Sequence, residues 1–288
     1  MSAIFGPAGN SASFSDVHRS SLDAPGWVRE RGLDCYEYQC GKGVHVGEET
    51  ARKLGENAAR AGVHLSLHAP YFINLANPSP ESLQKTTGYI TAACRAADFM
   101  GASRVIIHSG ALMGRTRREA METALHSLRE VLAACDGMGF GHIALCPETM
   151  GKINQLGDLD EVLELCTIDA RLVPCIDFGH LYARSLGALE GEEACAAMLD
   201  RVEEALGPDR AARFHSHFSH IEFTPHGGEL RHRTFADSGG FGPDFRPLAK
   251  EVAARGWSPV FICESAGTQA EDALAMKQFY ESERNKMI

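Results

Sequence analysis

The chain has 288 residues, 44% hydrophobic and 23% charged, with a formal net charge of −10, a size near that of a (β/α)8 barrel and too small for two large domains. The composition gives ample core material, and the acidic balance excludes gripping nucleic acid by bulk electrostatics, though not acting on DNA through bound cations. No apolar run reaches the ~18 residues of a membrane span, so no membrane partner is expected. No basic-then-apolar leader opens the sequence. The nine cysteines include no C-x-x-C pair and read as the buried thiols of a reduced, cytoplasmic protein rather than a disulfide scaffold.

Short apolar runs alternate with longer amphipathic stretches, which predicts βα units and a parallel sheet. In chain order the expected strands are Ala3–Phe5, Cys35–Tyr38, His64–Leu67, Arg104–Ile107, Ile143–Cys146, Leu172–Ile176, Arg213–Phe218 and Val260–Cys263. The first is weak and is followed by a long loop. Between the later strands lie helix signals. Ser79-Pro80 places a cap ahead of a first-turn proline. Thr116-x-x-Glu119 has capping-box spacing ahead of a run ending near Gly137, and Gly207-Pro208 closes a helix begun near Glu192. Prolines and glycines are scattered, so the expectation is one (β/α)8 TIM-barrel domain over residues 1–288. The DSGGFGP stretch at Asp237–Pro243 is not set between strand and helix and reads as a turn. Arg115, Arg117 and Arg118 read as a solvated helix start rather than phosphate contacts.

The informative residues stand at the strand ends: His68, His108, Glu148, Asp177, His217 and Glu264, spaced by 40, 40, 29, 40 and 47 residues, about one βα unit each. In a parallel barrel all such ends open on one face. With 13 His and 38 Asp plus Glu in the chain, one match at a strand end is roughly a coin toss, and six of six is about a 1% event. A mixed nitrogen and oxygen set of this kind suits zinc, with manganese or iron acceptable. A carboxylate such as Glu148 or Asp177 can bridge metals ~3.5–4 Å apart.

The motifs around these residues, HAPYFINLANP at His68, IIHSG at His108, PETMG at Glu148, CIDFGH at Asp177 and His180, HFSHIEF at His217 and CESAGT at Glu264, resemble in order those of the endonuclease IV family of apurinic-site nucleases. The resemblance runs from about Cys35 to Ala275. It implies a xylose-isomerase-like barrel with clustered zinc ions, two or three of them, that cleaves DNA 5′ to an abasic site in DNA repair. It implies that His68, His108 and Glu148 hold one ion, that Glu148 bridges to a second held by Asp177, His217 and Glu264, and that His180 and His232 help hold a third. Glu148 and Glu264 are expected to take part in the chemistry, and Tyr71, Phe72 and Asn74 to meet the substrate, the aromatic pair as a wedge at the missing base. A monomer is expected. Two departures stand out. Leu230 occupies the place of the aspartate in the family's D-x-H pair, with Glu229 adjacent, and YEYQCGKG after the second strand offers Lys42 in place of a DNA-facing arginine.

Two other readings fit the same barrel. A sugar isomerase or epimerase would use Glu148, Asp177, His217 and Glu264 around one metal, with the glutamates transferring protons. A non-catalytic metal-binding barrel would keep the ligands without turnover. The extra histidines His68, His108 and His232 favour the nuclease.

Overall fold

The structure, a computed structural model, describes residues 2–287; Met1 and Ile288, the ends of the expected domain, lie outside them. Eight strands pair in parallel: β1 (Ile4–Pro7), β2 (Cys35–Gln39), β3 (His64–His68), β4 (Arg104–His108), β5 (Ala144–Glu148), β6 (Cys175–Asp177), β7 (His215–Phe218) and β10 (Val260–Cys263), in the order β1-β10-β7-β6-β5-β4-β3-β2. The intervening β8 (His220–Thr224) and β9 (Gly228–Arg233) form a separate antiparallel hairpin. A parallel bridge from Ala8 to Glu37, and Gly9 N–H donating to the Glu37 carbonyl at 2.9 Å, bring β1 against β2 and nearly close the ring. Only glycine fits at this seam. A Cβ on Gly6 would sit 1.8 Å from the Cys35 carbonyl oxygen.

The helices are α1 (Ala12–Val17), α2 (Ala24–Glu30), α3 (Glu48–Ala61), α4 (Pro80–Met100), α5 (Arg117–Gly137), α6 (Leu159–Thr167), α7 (Phe178–Arg184), α8 (Gly191–Leu206), α9 (Pro208–Ala211), α10 (Phe245–Arg255) and α11 (Gln269–Asn285). The expected long loop after the first strand holds α1 and α2, of 6 and 7 residues, too short to show a 3.6-residue period. The sixth strand is shorter than Leu172–Ile176 because Pro174 has no N–H to give a ladder. The main core lies between sheet and helices, where Phe261 stacks on Phe5 at 5.2 Å and takes the edge of Phe245 at 5.2 Å. Inside the ring sit a small cluster of Ile106, Cys146 and Cys175 and the buried polar side chains of Glu37, Ser66, His215 and His217. All nine cysteines are free and buried. Among the described residues no helix is long and apolar enough to cross a membrane.

Thr116 caps α5 in a reciprocal capping box with Glu119. Thr116→Ala is expected to cost about 1 kcal/mol, since the Glu119 N–H loses its acceptor and the Glu119 carboxylate loses the hydroxyl that orients it toward the backbone N–H of residue 116. Urea unfolding measures it, and an unchanged midpoint would mean that the fold does not depend on this cap.

Candidate metal centre

Residues two apart on a strand face the same way, so the inward positions of the eight strands form stacked layers. The register sets His108 beside Glu148, Asp177 beside His217, and Gln39 beside His68. These are the last inward residues before each chain segment leaves the barrel. Glu264 follows β10 directly, its N–H held by the Phe218 carbonyl at 3.0 Å. The ring of strand ends therefore converges on one mouth.

Glu148 is the hub. His68 Nε2 and His108 Nε2 lie 3.2 and 3.4 Å from its Oε2, while His217 Nδ1 and His180 Nδ1 lie 3.0 and 3.5 Å from its Oε1. Backbone carbonyls fix three of the rings. The Nδ1–H of His68 donates to Ala69 O at 2.7 Å, that of His108 to Tyr71 O at 3.2 Å and that of His180 to Thr149 O at 2.8 Å. Each of these imidazoles is thereby left with an Nε2 lone pair for a cation. His217 is turned the other way, with Nε2 on Glu37 Oε1 at 2.9 Å and Nδ1 between Glu148 and Glu264.

Four groupings have their donor atoms within 4.8 Å of one another: His68–Glu148–His217, Glu148–Asp177–His217–Glu264 and His180–His232–Glu264 at the mouth, and Cys175–His215–His217 deeper in the barrel, where burial pushes the Cys175 thiol well up and keeps it protonated. Zinc bonds of ~2.0–2.2 Å place the ligand atoms of a tetrahedral ion ~3.5 Å apart, so the donors need only a small contraction. Asp177 supplies a direct test of the fit. Its Oδ2 is buried with no hydrogen-bond partner, because the nearby His180 Nδ1, at 3.3 Å, gives its proton to the Thr149 carbonyl. An orphaned buried carboxylate oxygen is costly unless something cationic meets it.

The electrostatics agree. Burial works against a charged Glu148, yet His217 and hydrogen bonds from His108, His217 and His68 hold its carboxyl well below the usual range. Burial pushes the Asp177 carboxyl up, opposed by His180. Burial also disfavours a charged His180, but Asp177, Glu229, Glu148 and Glu264 hold it up at about 9. The metal-free site balances its carboxylates with protons on imidazoles. Divalent cations would take the place of those protons.

The hairpin completes the rim. Between β8 and β9 the pairing passes from Glu222↔Arg231 to Phe223↔Glu229, leaving Leu230 as the extra residue of a bulge. A bulge interrupts the alternation of faces, and here it lets Glu229 turn toward the centre along with His232. Glu229 Oε2 lies 3.5 Å from His180 Nε2, while His232 holds Ser219 Oγ with Nδ1 at 2.8 Å and points Nε2 toward Glu264 Oε2 at 3.9 Å. Leu230 is exposed. Gly151 makes the room, since a Cβ there would come within 2.6 Å of Glu229 Cβ.

The mouth opens into a cavity of about 570 Å³ whose other walls include Gln39, Tyr71, Lys152, Gln155 and Gln269. Tyr71 stacks on His108 at 5.6 Å and reaches Gln39 Oε1 at 3.3 Å. Phe72, next in the chain, is exposed and is not among the cavity's lining residues; its ring meets that of Tyr89 in a T-shaped contact, 4.7 Å between centroids. Asn74 does not line the cavity. Its Oδ1 accepts from Ala76 N and Ala111 N, both at 3.1 Å, bracing two loops. Arg117 is spent on Glu161 and on the Ile153 and Gln155 carbonyls, and Arg118 on Glu122. Among the described residues Lys152 is the one lysine or arginine that lines the cavity. Lys42, the other cation noted in the sequence, is not among its lining residues. Sequence reading missed Glu37, Gln39, Ser66 and His215. The available signal was an acidic residue in the middle of a strand, CYEYQ, at the parity of Cys35 and Gln39.

A family profile described as "Xylose isomerase-like TIM barrel" matches residues 25–280. An uncharacterised protein of Methanocaldococcus jannaschii is 31% identical over 278 residues, covering 96% of this chain and 97% of its own. A "Probable endonuclease 4" of Acholeplasma laidlawii is 27% identical over 144 residues, so the chain spans about half of that relative, 48% of each. Among solved structures, a D-tagatose 3-epimerase-like protein matches with a TM-score of 0.69 at 18% identity, covering 89% of this chain and 91% of that one. Endonuclease IV of Thermus thermophilus matches with a TM-score of 0.61 at 18% identity, covering 92% and 96%. At such identities the two structures speak for the fold alone.

Proposed function

The chain belongs to the xylose isomerase-like TIM barrel family, and we propose that it is a metal-dependent phosphodiester hydrolase that cuts DNA 5′ to an abasic site, with two or three zinc ions at the barrel mouth. The observation that carries this reading is the surplus of donors. Glu148, Asp177, His217 and Glu264 already suffice for one ion. His68 and His108 on one flank, and His180, His232 and Glu229 on the other, have their Nε2 atoms or carboxylate turned to the same centre. Glu148 offers one oxygen to each side, as a bridging carboxylate must.

On this reading His68, His108 and Glu148 hold a first ion, and Glu148, Asp177, His217 and Glu264 a second. His180, His232 and Glu229 hold a third, with Glu229 replacing the aspartate that Leu230 displaced. Cations held there would activate water and offset the charge that builds on phosphoryl oxygens. The chain's own residues orient. The carbonyls of Ala69, Tyr71 and Thr149 lock three imidazoles in one tautomer. Burial and the nearby Glu264 push the Tyr71 phenol up to about 12, so it meets a substrate as a neutral donor and a stacking face. Phe72, exposed beside Tyr89, would leave that contact to enter the gap left by a missing base. Lys152 is placed to meet one phosphate.

A second reading has one specific support: the four-residue Glu148–Asp177–His217–Glu264 cluster, with Gln39, Gln155 and Gln269 nearby to bind hydroxyls, suits a sugar epimerase, the class for which the D-tagatose 3-epimerase-like neighbour is named. Incision of an abasic duplex by zinc-loaded protein across a salt series separates the two. We expect cleavage of the abasic duplex but not of intact duplex, because opening a stacked pair costs a few kcal/mol. A shallow salt slope worth about two to four phosphates should accompany it. Phe72→Ala should slow incision about tenfold, one stacking contact of ~1–3 kcal/mol. No incision at any salt, together with ketose epimerisation or ketose–aldose interconversion, would transfer the assignment to the sugar enzyme.

A further inference from the structure

Beneath the metal centre, at mid-height in the barrel, Glu37 is wholly buried, and both of its oxygens are fully engaged. Oε1 accepts from His217 Nε2 at 2.9 Å and from Gln39 Nε2 at 3.1 Å. Oε2 accepts from Ser66 Oγ at 2.8 Å and from His215 Nε2 at 3.0 Å. Elsewhere the barrel interior is filled by Ile106, Cys146 and Ile262, so apolar packing is the ready alternative at this depth. A buried carboxylate with four donors gathered round it is an expensive way to fill space.

We infer that Glu37 is a positioning residue of the metal centre, holding the proton of His217 on Nε2 so that Nδ1 is free to bind the second ion. This rests on the reading of the site as a metal centre. His68, His108 and His180 are each set by a backbone carbonyl, whereas His217, the ring turned the opposite way, has no carbonyl to set it and takes its direction from Glu37. A carboxylate in that place also raises the donor strength of the ring, as partners behind metal-bound imidazoles do. Gln39 on one oxygen and His215 on the other keep the carboxylate from rotating, and Ser66 Oγ is a second donor to the oxygen that His215 already holds. The charge itself matters. A glutamine at 37 either faces His217 with a weaker carbonyl acceptor, or faces it with its NH2 group, which drives the ring proton onto Nδ1 and blocks the metal.

The test is zinc back-titration of metal-free full-length protein against a chromophoric chelator, for wild type, Glu37→Gln and Ser66→Ala, with melting of each metal-free protein alongside. We expect wild type to take up at least two ions and Glu37→Gln to bind one of them about 10–100-fold more weakly, with little change in metal-free melting. Ser66→Ala touches only the oxygen remote from His217 and should bind zinc within about threefold of wild type. Equal affinity in wild type and Glu37→Gln overturns the inference alone, as does an equal loss in Ser66→Ala. Absence of zinc binding by wild type overturns the metal-centre reading and this inference with it. Should Glu37→Gln fail to fold, nitrogen NMR of histidine-labelled, zinc-loaded wild type decides. A proton on His217 Nε2 with a zinc-shifted Nδ1 supports the inference, and the reverse pattern overturns it.

Discussion

Replacing Glu148 by glutamine is expected to lower abasic-site incision on the order of 10³-fold or more and to remove one or two zinc ions from every chain. The size of the effect follows from position. Glu148 lies within 3.5 Å of ring nitrogens from His68, His108, His180 and His217, so it is shared by both flanks of the centre. Glutamine keeps one carbonyl acceptor of nearly the same shape but loses the charge and the second acceptor oxygen, and a bridge between cations needs both. Loss of a single preorganised group at a developing oxyanion costs about 10²–10³, and here displacement of an ion adds to that. The fold should survive, because no backbone group depends on the Glu148 side chain and the variant remains nearly isosteric. Elemental analysis, incision rate and circular dichroism on one preparation check the three parts. Full metal content with full activity would show Glu148 to be a buried strand-end residue without a bridging role.

What could be read from the sequence, and what could not, divides by sequence distance. The eight strands and the ring of His68, His108, Glu148, Asp177, His217 and Glu264 were legible because a parallel barrel repeats its strand ends about once per βα unit, and β4 and β5 needed no information beyond their own apolar runs. His180 was legible through its three-residue offset from Asp177, which the first turn of α7 turns into proximity. Glu229 was legible only as a neighbour of Leu230 that could stand in for the missing aspartate; whether it could reach the centre was not, because its direction depends on a bulge at Leu230 that only the pairing of β8 with β9 creates. Glu37 and His215 were illegible for a different reason. They are separated by 178 residues, and nothing local marks either as facing into the barrel except strand parity. Asn74 shows the same limit: its motif suggested substrate, and the structure adds that its side-chain oxygen also braces two loop amides.

Removal of the metal ions is expected to lower the melting temperature by on the order of 10 °C. An ion present at a hundredfold excess over its dissociation constant stabilises the folded chain by about 2.7 kcal/mol, so two ions contribute roughly 5 kcal/mol. Each kcal/mol is worth about 2 °C or slightly more in a chain of this size. The destabilisation has a visible source. Without cations, Asp177 Oδ2 stays buried and unpartnered, and the charge on the remaining carboxylates is met by protonated imidazoles instead. The loss should not be uniform. His232 and Glu229 belong to the β8–β9 hairpin, which forms a sheet of its own outside the barrel ladder, so an ion shared with His180 and Glu264 ties that hairpin to the barrel mouth. Amide exchange in Gly228–Arg233 should therefore accelerate on chelation more than exchange in the barrel strands. Glu148→Gln already forfeits part of its metal, so it should show a smaller melting difference between zinc and chelator than wild type. Calorimetry in the two conditions, followed by exchange mass spectrometry, measures both effects. Superimposable melting curves with and without chelator would mean that the donors at the barrel mouth hold no ion that matters to the fold.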